Sequence, residues 1–395
     1  MTKHILMTAV LGLSLSSQAL TLDEALALAS EKSPALRAAR AYEQAASRSV
    51  EAAGLWRNPE LEFEAEGIGG DNNGADSAEY TAMISQEFPM FGKTGKRRAV
   101  AQKFFEGSEC AILEVQLALA AQVRAAFAEA LAQQEIAMVR DEQEKLGREF
   151  VAAAKARYEE GGASELEVVQ ADLALEEILM EKQCCFGDLD AAKKGLASLL
   201  GVSLEEVGVP IGDFYELEKS IPLTVDDAHP ALQRLRAEEA MVRAEAALAR
   251  SQAAGNLSLG AGVKYEAIDD AQSFVVSASI PLSIRKTGRV ESAAALLRAD
   301  AVSAQREQVR RDLQQQLNQT VQTYKRTEAE SIQYKTRMLP MAEKAYALSR
   351  KGYDAGRYSW MELLDAQQNL AGIRIRTIEA ILDAQKASAE LSKFK

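Results

Sequence analysis

Ser33-Pro34-Ala35-Leu36 returns as His229-Pro230-Ala231-Leu232, about 195 residues further along the 395-residue chain. Three further pairs keep nearly that offset and the same order. Phe88-Pro89-Met90 answers Ile280-Pro281-Leu282; each is followed by Lys-Thr-Gly, at Lys93 to Gly95 and Lys286 to Gly288; and Tyr158-Glu159-Glu160-Gly161 answers Tyr353-Asp354-Ala355-Gly356. Ordered matches at one period mean one supersecondary unit written twice. The chain then divides into a leader over residues 1–19, a first repeat over 20–200, a connector over 201–228 and a second repeat over 229–395. In the leader, Lys3, the apolar run Ile5 to Leu15 and Ser17-Gln18-Ala19 have the order of a secretory signal peptide, so the mature chain is expected to begin at Leu20.

Each repeat carries the same succession of local signals. A helix is expected from Pro34 to Arg57, since proline at its start gives up an N–H that would be unpaired there anyway. A strand pair follows. Leu61, Phe63 and Ala65 alternate with Glu62, Glu64 and Glu66, and Tyr80, Ala82, Ile84 and Phe88 continue the two-residue period. In the second repeat the alternating positions are Leu257, Leu259, Ala261, Val263 and Tyr265, then Phe274, Val276, Ala278 and Ile280, with Asp269-Asp270 at the turn. The first hairpin closes through the loop Gly69 to Asp76, whose acids resemble a calcium loop but lack its distal glutamate, so an exposed turn is expected.

A long helix is expected after each hairpin. Lys96 to Glu159 contains no proline and would measure about 95 Å as continuous helix. Leu113, Leu117, Ala120, Phe127, Leu131 and Met138 form an apolar seam along it, interrupted by Arg124 and Gln134. Gly161-Gly162 and Gly356 break the rods, and return helices are expected from Ser164 to Leu200 and from Ser359 to Phe394.

No stretch after the leader reads as an apolar membrane-spanning helix, so a membrane would have to be crossed by strands. Four strands of about ten residues cannot close a barrel, and open edges are not tolerated in lipid. Several protomers must then pool their strands; three would supply about twelve and leave a lumen, whereas two would supply about eight, which side chains nearly fill. A periplasmic coiled coil with two surface hairpins is the alternative that keeps the chain soluble.

The formal charge of −12, about −13 once Lys3 leaves with the leader, argues against a general nucleic-acid or anionic-membrane binder. His229 is the one histidine outside the leader, and there is neither a Gly-rich phosphate loop nor metal-ligand spacing, so no enzyme, cofactor or bound metal is expected. Cys110, Cys184 and Cys185 make an odd set that implies no disulfide framework. The pair beside Met180 has soft-metal chemistry, but burial as small apolar side chains explains it better.

With these residues in hand, the chain resembles the TolC-like outer membrane efflux proteins over essentially its whole mature length. Asn58-Pro59-Glu60-Leu61, Glu66-Gly67-Ile68-Gly69-Gly70, Ser85-Gln86-Glu87-Phe88 and Gly92-Lys93-Thr94-Gly95-Lys96-Arg97 further resemble the heavy-metal branch, the CzcC/CusC-like proteins. Many members carry a lipidated cysteine at the mature N-terminus, which is missing at the expected cleavage point. The resemblance implies a homotrimer with a twelve-stranded barrel in outer-membrane lipid and a periplasmic helical tunnel. It implies docking on a periplasmic adaptor and an inner-membrane pump of the RND type, which supplies the energy for export of heavy-metal cations or small toxic compounds. A type I secretion outlet shares the fold, and an adaptor shares the long helices.

The resemblance also implies a gate. Glu362 and Asp365 match the family's aperture acids, and Glu167 and Tyr353 match positions that hold the coils closed. Glu362 and Asp365 lie three apart on one helix face, so three-fold symmetry would gather six carboxylates round one axis. Their mutual repulsion would favour protonation or a divalent ion. A merely solvated helix face is the plainer reading of the same acids.

Overall fold

The computed structural model describes residues 19–68, 77–217, 221–282 and 287–394. The leader up to Gln18, the loop Gly69 to Asp76 and Lys286 lie outside the described residues. In chain order the elements are β1 (Ala19–Leu20), α1 (Leu22–Lys32), α2 (Pro34–Ala53), β2 (Glu60–Glu66), β3 (Glu79–Phe88), α3 (Lys93–Glu159), α4 (Glu165–Leu200), α5 (Leu204–Val207), β4 (Val209–Pro210), α6 (Pro230–Gln252), β5 (Leu257–Glu266), β6 (Ala271–Ser279), α7 (Thr287–Gln333), α8 (Leu339–Asp354) and α9 (Trp360–Leu391). The chain is mainly α-helical. Helix, strand pair, long helix and return helix run in that order through α2 to α4 and again through α6 to α9.

Local chemistry sets most of these boundaries. Helix α2 stops at Ala53, short of the expected Arg57, because Gly54 and Leu55 turn back onto Glu51 and Ala52 and the residue before Pro59 is driven towards extended backbone. Helix α3 runs unbroken for 67 residues. The second rod contains Pro340, which has no N–H to offer the carbonyl of Thr336. The chain widens into a π turn over Tyr334–Met338 just before it, separating α7 from α8.

Both rods end in the same way. Gly161 and Gly356 take left-handed backbone at φ 75° and 69°. Gly162 donates to the carbonyl of Arg157 at 2.7 Å, and Arg357 to that of Gly352 at 2.8 Å. This is the Schellman arrangement, which needs a residue without Cβ strain at the left-handed position. Ser164 then caps α4 and Ser359 caps α9.

The chain forms two compact units: Met1–Arg37, Val115–Val225 and Gln314–Lys395 make the first, Ala38–Glu114 and Asp226–Leu313 the second. In the first, one core brings Ala128 and Ala132 of α3 against Ile378, Ile381 and Leu382 of α9, with Phe214 from the connector. Another joins Val151 and Ala154 to Ala171 and Ala174, closed by Trp360 and Leu364. Burying a side chain the size of Trp360 is worth about 3 kcal/mol. Leu20 is also buried, and the pair β1–β4 ties it to the connector.

The apolar seam expected on α3 packs in part within the chain: Phe127 is buried and Leu131 lies against the core, Leu119, Val123 and Ala130 are buried as well, and Leu113 and Met138 are exposed in the single protomer. Contrary to expectation, α3 also holds a window long and apolar enough to cross a membrane. The cysteines differ as well: Cys185 is buried, whereas Cys184 is exposed, because neighbours on a helix point about 100° apart.

In the second unit, Val242 and Ala246 of α6 pack on Ala295 and Ala299 of α7. Its four strands form one antiparallel sheet in the order β2-β3-β5-β6, so β3 and β5 join the two hairpins and β2 and β6 are its edges. The strands fall within a few residues of the expected ones, and Asp270 takes positive φ at the turn between β5 and β6.

Candidate functional site

Residues directly opposite one another in a sheet share a face, so the register sorts every strand side chain to one side or the other. One face is apolar. Phe63, Ala82, Val263 and Phe274 stand in one row, and Leu61, Ile84, Ala261 and Val276 in the next. These are not core residues: Phe274 is 89 % exposed and Val276 82 %. Contiguous exposed apolar surface of this kind is what a lipid-facing sheet requires.

The opposite face is acidic. It carries Glu60, Glu62, Glu64 and Glu66 from β2, Glu79 and Glu87 from β3 and Glu266 from β5, against the single cation Lys264. Lys264 pairs with Glu79 and stands 3.6 Å from Glu266, which leaves the β2 glutamates without a cation on the sheet. Among the described residues no group of three His, Cys, Asp or Glu side chains is placed to hold a metal ion.

In the first unit, the turns that end the rods bring the expected closing residues together. Tyr158 and Tyr353 occupy equivalent positions, one residue inside the ends of α3 and α8. Arg157, beside the first of them, reaches across to the second. Its Nη1 donates to the Tyr353 hydroxyl at 2.9 Å and its Nη2 to the Gly162 carbonyl at 3.1 Å, with the guanidinium carbon 5.7 Å from the tyrosine ring centre. The hydrogen bond to Tyr353 holds the guanidinium more firmly in its charged form, and the charge of Glu167 adds to this. Arg157 is thus bonded to Tyr353 and to the turn at Gly162, within the field of Glu167, and it is a residue the sequence reading passed over. No helical period marks it, since an arginine in the last turn of a helix is an ordinary surface residue.

Glu167 and Glu362 stand at matching places, three residues after Ser164 and Ser359, but their carboxylates are used differently. Glu362 bends back to accept from the Ser359 amide at 2.7 Å and from its hydroxyl at 2.9 Å, while its own amide donates to Ser359 Oγ at 3.3 Å. Such a reciprocal box satisfies two backbone donors at once. At α4 only the Glu167 amide to Ser164 half of the box is present, at 3.3 Å, so the Glu167 carboxylate stays available to Arg157. Asp365 is exposed one turn further along α9.

The box bears on the protonation of Glu362. Within the chain, the Ser359 amide, then its hydroxyl, hold the carboxyl below the usual carboxylate range. A depressed value means that the box's stabilisation is complete above the ordinary carboxylate pKa and is lost as pH falls through the lowered one. Ser359→Ala removes the hydroxyl and loosens the box. The acid limb of the channel's cation-selectivity profile should then move to higher pH; an unchanged limb would show that Glu362 does not set it.

An apolar sheet face backed by an acidic one, carried on long helices, defines an outer-membrane channel protomer. The chain belongs to the outer membrane efflux protein family, whose sequence profile matches residues 25–202 and 225–394. It is similar to the cobalt-zinc-cadmium resistance protein CzcC of Cupriavidus metallidurans, at 24 % identity over 383 residues, covering 95 % of this chain and 90 % of that one. The nickel-cobalt-cadmium resistance protein NccC of Alcaligenes xylosoxydans xylosoxydans is 26 % identical over 309 residues, 76 % of this chain and 70 % of the relative. Among solved structures, a membrane protein from Pseudomonas aeruginosa superposes with a TM-score of 0.77 at 18 % identity, covering 94 % of this chain and 92 % of that one, a likeness of fold.

Proposed function

We propose that the chain is one third of a homotrimeric exit duct for divalent metal cations, in which an inner-membrane pump of the RND type and a periplasmic adaptor supply energy and cargo. Residues 20–200 and 229–395 act as two repeats, joined by the connector 201–228. Three copies of the four-stranded sheet close a twelve-stranded barrel, with the apolar face in outer-membrane lipid and the acidic face lining the lumen. The protein contributes a path and a gate and no chemistry of its own.

The observation that carries the cation reading is the acidic face: seven glutamates against one lysine in each protomer's sheet, in register. A ring of such faces raises local cation concentration and the cost of an anion's entry. The relatives named for nickel, cobalt, zinc and cadmium resistance support the same cargo. Glu362 and Asp365 would add stacked carboxylate rings at the gate, with Arg157, Tyr353 and Glu167 holding the helix ends together.

Deletion should sensitise cells to zinc, cobalt, nickel or cadmium, and the intact gene should restore tolerance. In planar bilayers, changing the four β2 glutamates to Gln, or Glu362→Gln with Asp365→Asn, should lower cation selectivity, and the gate pair should also weaken block by divalent ions. Unchanged metal tolerance with loss of polypeptide export would move the protein to secretion. Assembled gate variants that keep the parent's selectivity and block would make Glu362 and Asp365 a wet helix face.

A further inference from the structure

The corner where the sheet meets α3 is opposite in sign to the rest of the chain. Against a net charge of −12, Lys93, Lys96, Arg97 and Arg98 crowd the first two turns of α3, and its first turn contains no acid. Cations there face the positive end of the helix dipole, an arrangement the helix itself disfavours. Lys93 has local partners, the Ala254 carbonyl and Asn256 Oδ1 at 2.5 Å, and nearby Arg57 pairs with Glu87 at 3.1 Å. Lys96, Arg97 and Arg98 have no carboxylate partner among the described residues. Arg97 donates to the Leu55 carbonyl at 3.2 Å, and its Nε is shut off from solvent without an acceptor.

The hydrogen bond to Leu55 places Arg97, flanked in sequence by Lys96 and Arg98, beside the segment that leads to Trp56 at the end of the sheet's apolar face. The Trp56 ring meets Phe88 edge-on, with centroids 5.6 Å apart, and Phe88 ends the apolar row of β3. Trp56 is 57 % exposed, and Leu55, Met90 and Phe91 are exposed around it. Apolar strand surface, then an exposed indole, then unpaired lysine and arginine is the sequence of layers found at a membrane–water boundary.

We infer that Lys96, Arg97 and Arg98, with Trp56, form a docking surface for the anionic headgroup of a glycerophospholipid. The helices leave the sheet at this corner, so the lipid belongs to the periplasmic leaflet; this rests on the outer-membrane placement proposed above. Charge complementarity selects the occupant. Guanidinium groups take a phosphate through paired N–H bonds, the indole suits the ester region, and Leu55 and Phe91 suit acyl chains.

Trp56 is also the probe. The full-length channel is reconstituted in phosphatidylcholine vesicles containing brominated phosphatidylglycerol or brominated phosphatidylcholine, with Trp56→Phe protein as the blank that isolates its signal from that of Trp360. Each cation close to an anionic headgroup favours it about fivefold, so association at Trp56 should be at least about fivefold stronger for the brominated phosphatidylglycerol. The preference should vanish in Lys96→Gln/Arg97→Gln/Arg98→Gln protein and weaken with salt. Equal quenching by both lipids, quenching by neither, or a preference that survives the triple substitution overturns the site. Conductance measured on the same vesicles reports the channel separately, so a conducting protein without lipid preference defeats this inference alone.

Discussion

Arg157→Ala is expected to raise the resting conductance of the assembled channel about tenfold, because an exposed charged contact is worth about 0.5 kcal/mol and the proposed three-fold ring would sum it to about 1.5 kcal/mol. The side chain is exposed, so the low value is the right one. What gives it leverage is position. It joins the end of α3 to the end of α8 through Tyr353, while the hydrophobic cluster around Trp360 holds the hairpins themselves together. Tyr353→Phe with Glu167→Ala should act in the same direction, removing the acceptor and the supporting charge. Planar-bilayer recordings at fixed voltage measure the effect. Trimers that form normally but keep the parent's closed conductance would place the gate elsewhere.

Gly262→Val should abolish assembly altogether. A Cβ built on Gly262 stands 2.3 Å from the Ala82 carbonyl oxygen and 2.8 Å from the Met83 Cα, backbone atoms of the strand to which β5 is paired. They cannot yield without breaking the junction between the two hairpins, and even ordinary overpacking costs about 1–3 kcal/mol. Gly260 gives the internal control. Its nearest neighbours are Ser277 Oγ and Met83 Sδ, the ends of side chains, so Gly260→Ala should be far milder than Gly262→Ala. Semi-native electrophoresis of membrane extracts separates the outcomes. Normal amounts of oligomer with valine at 262 would refute the central role of the β3–β5 pairing.

Periodicity carried the sequence reading a long way. Strand positions, both glycine breaks and the return helices were recoverable because alternation, φ > 0 and serine caps are written in single residues or fixed spacings. The end of α2 was placed late because its Ala-rich pattern runs on past Gly54, where local hydrogen bonding stops the helix. The packed face of α3 within the chain includes Leu119, Val123 and Ala130 beside the expected Phe127 and Leu131, because the sequence does not say which of several apolar stripes meets which helix. The second rod was expected as one continuous helix; Pro340 interrupts it, and the chain takes up the break as a π turn.

Around the gate, Glu167, Tyr353, Glu362 and Asp365 were named from family positions. Arg157 was not, because its partner lies 196 residues away. Nor could spacing show that two matching Ser-x-x-Glu motifs would use their glutamates differently, since that depends on a guanidinium arriving from another helix beside one of them.

The two edges of the sheet bear on how a newly exported chain avoids its own kind. Strand β2 presents glutamate at every second position on one face, so laying it against the β2 of another copy would set like charges side by side. Strand β6, from Ala271 to Ser279, carries no charged residue and offers β2 an edge without that repulsion. Head-to-tail contacts close into rings when the rotation allows, whereas head-to-head contacts stop at pairs. In the ring proposed above, the acidic edge would act as a self-avoidance device, disfavouring β2-to-β2 sticking and leaving β2-to-β6 closure as the route into lipid.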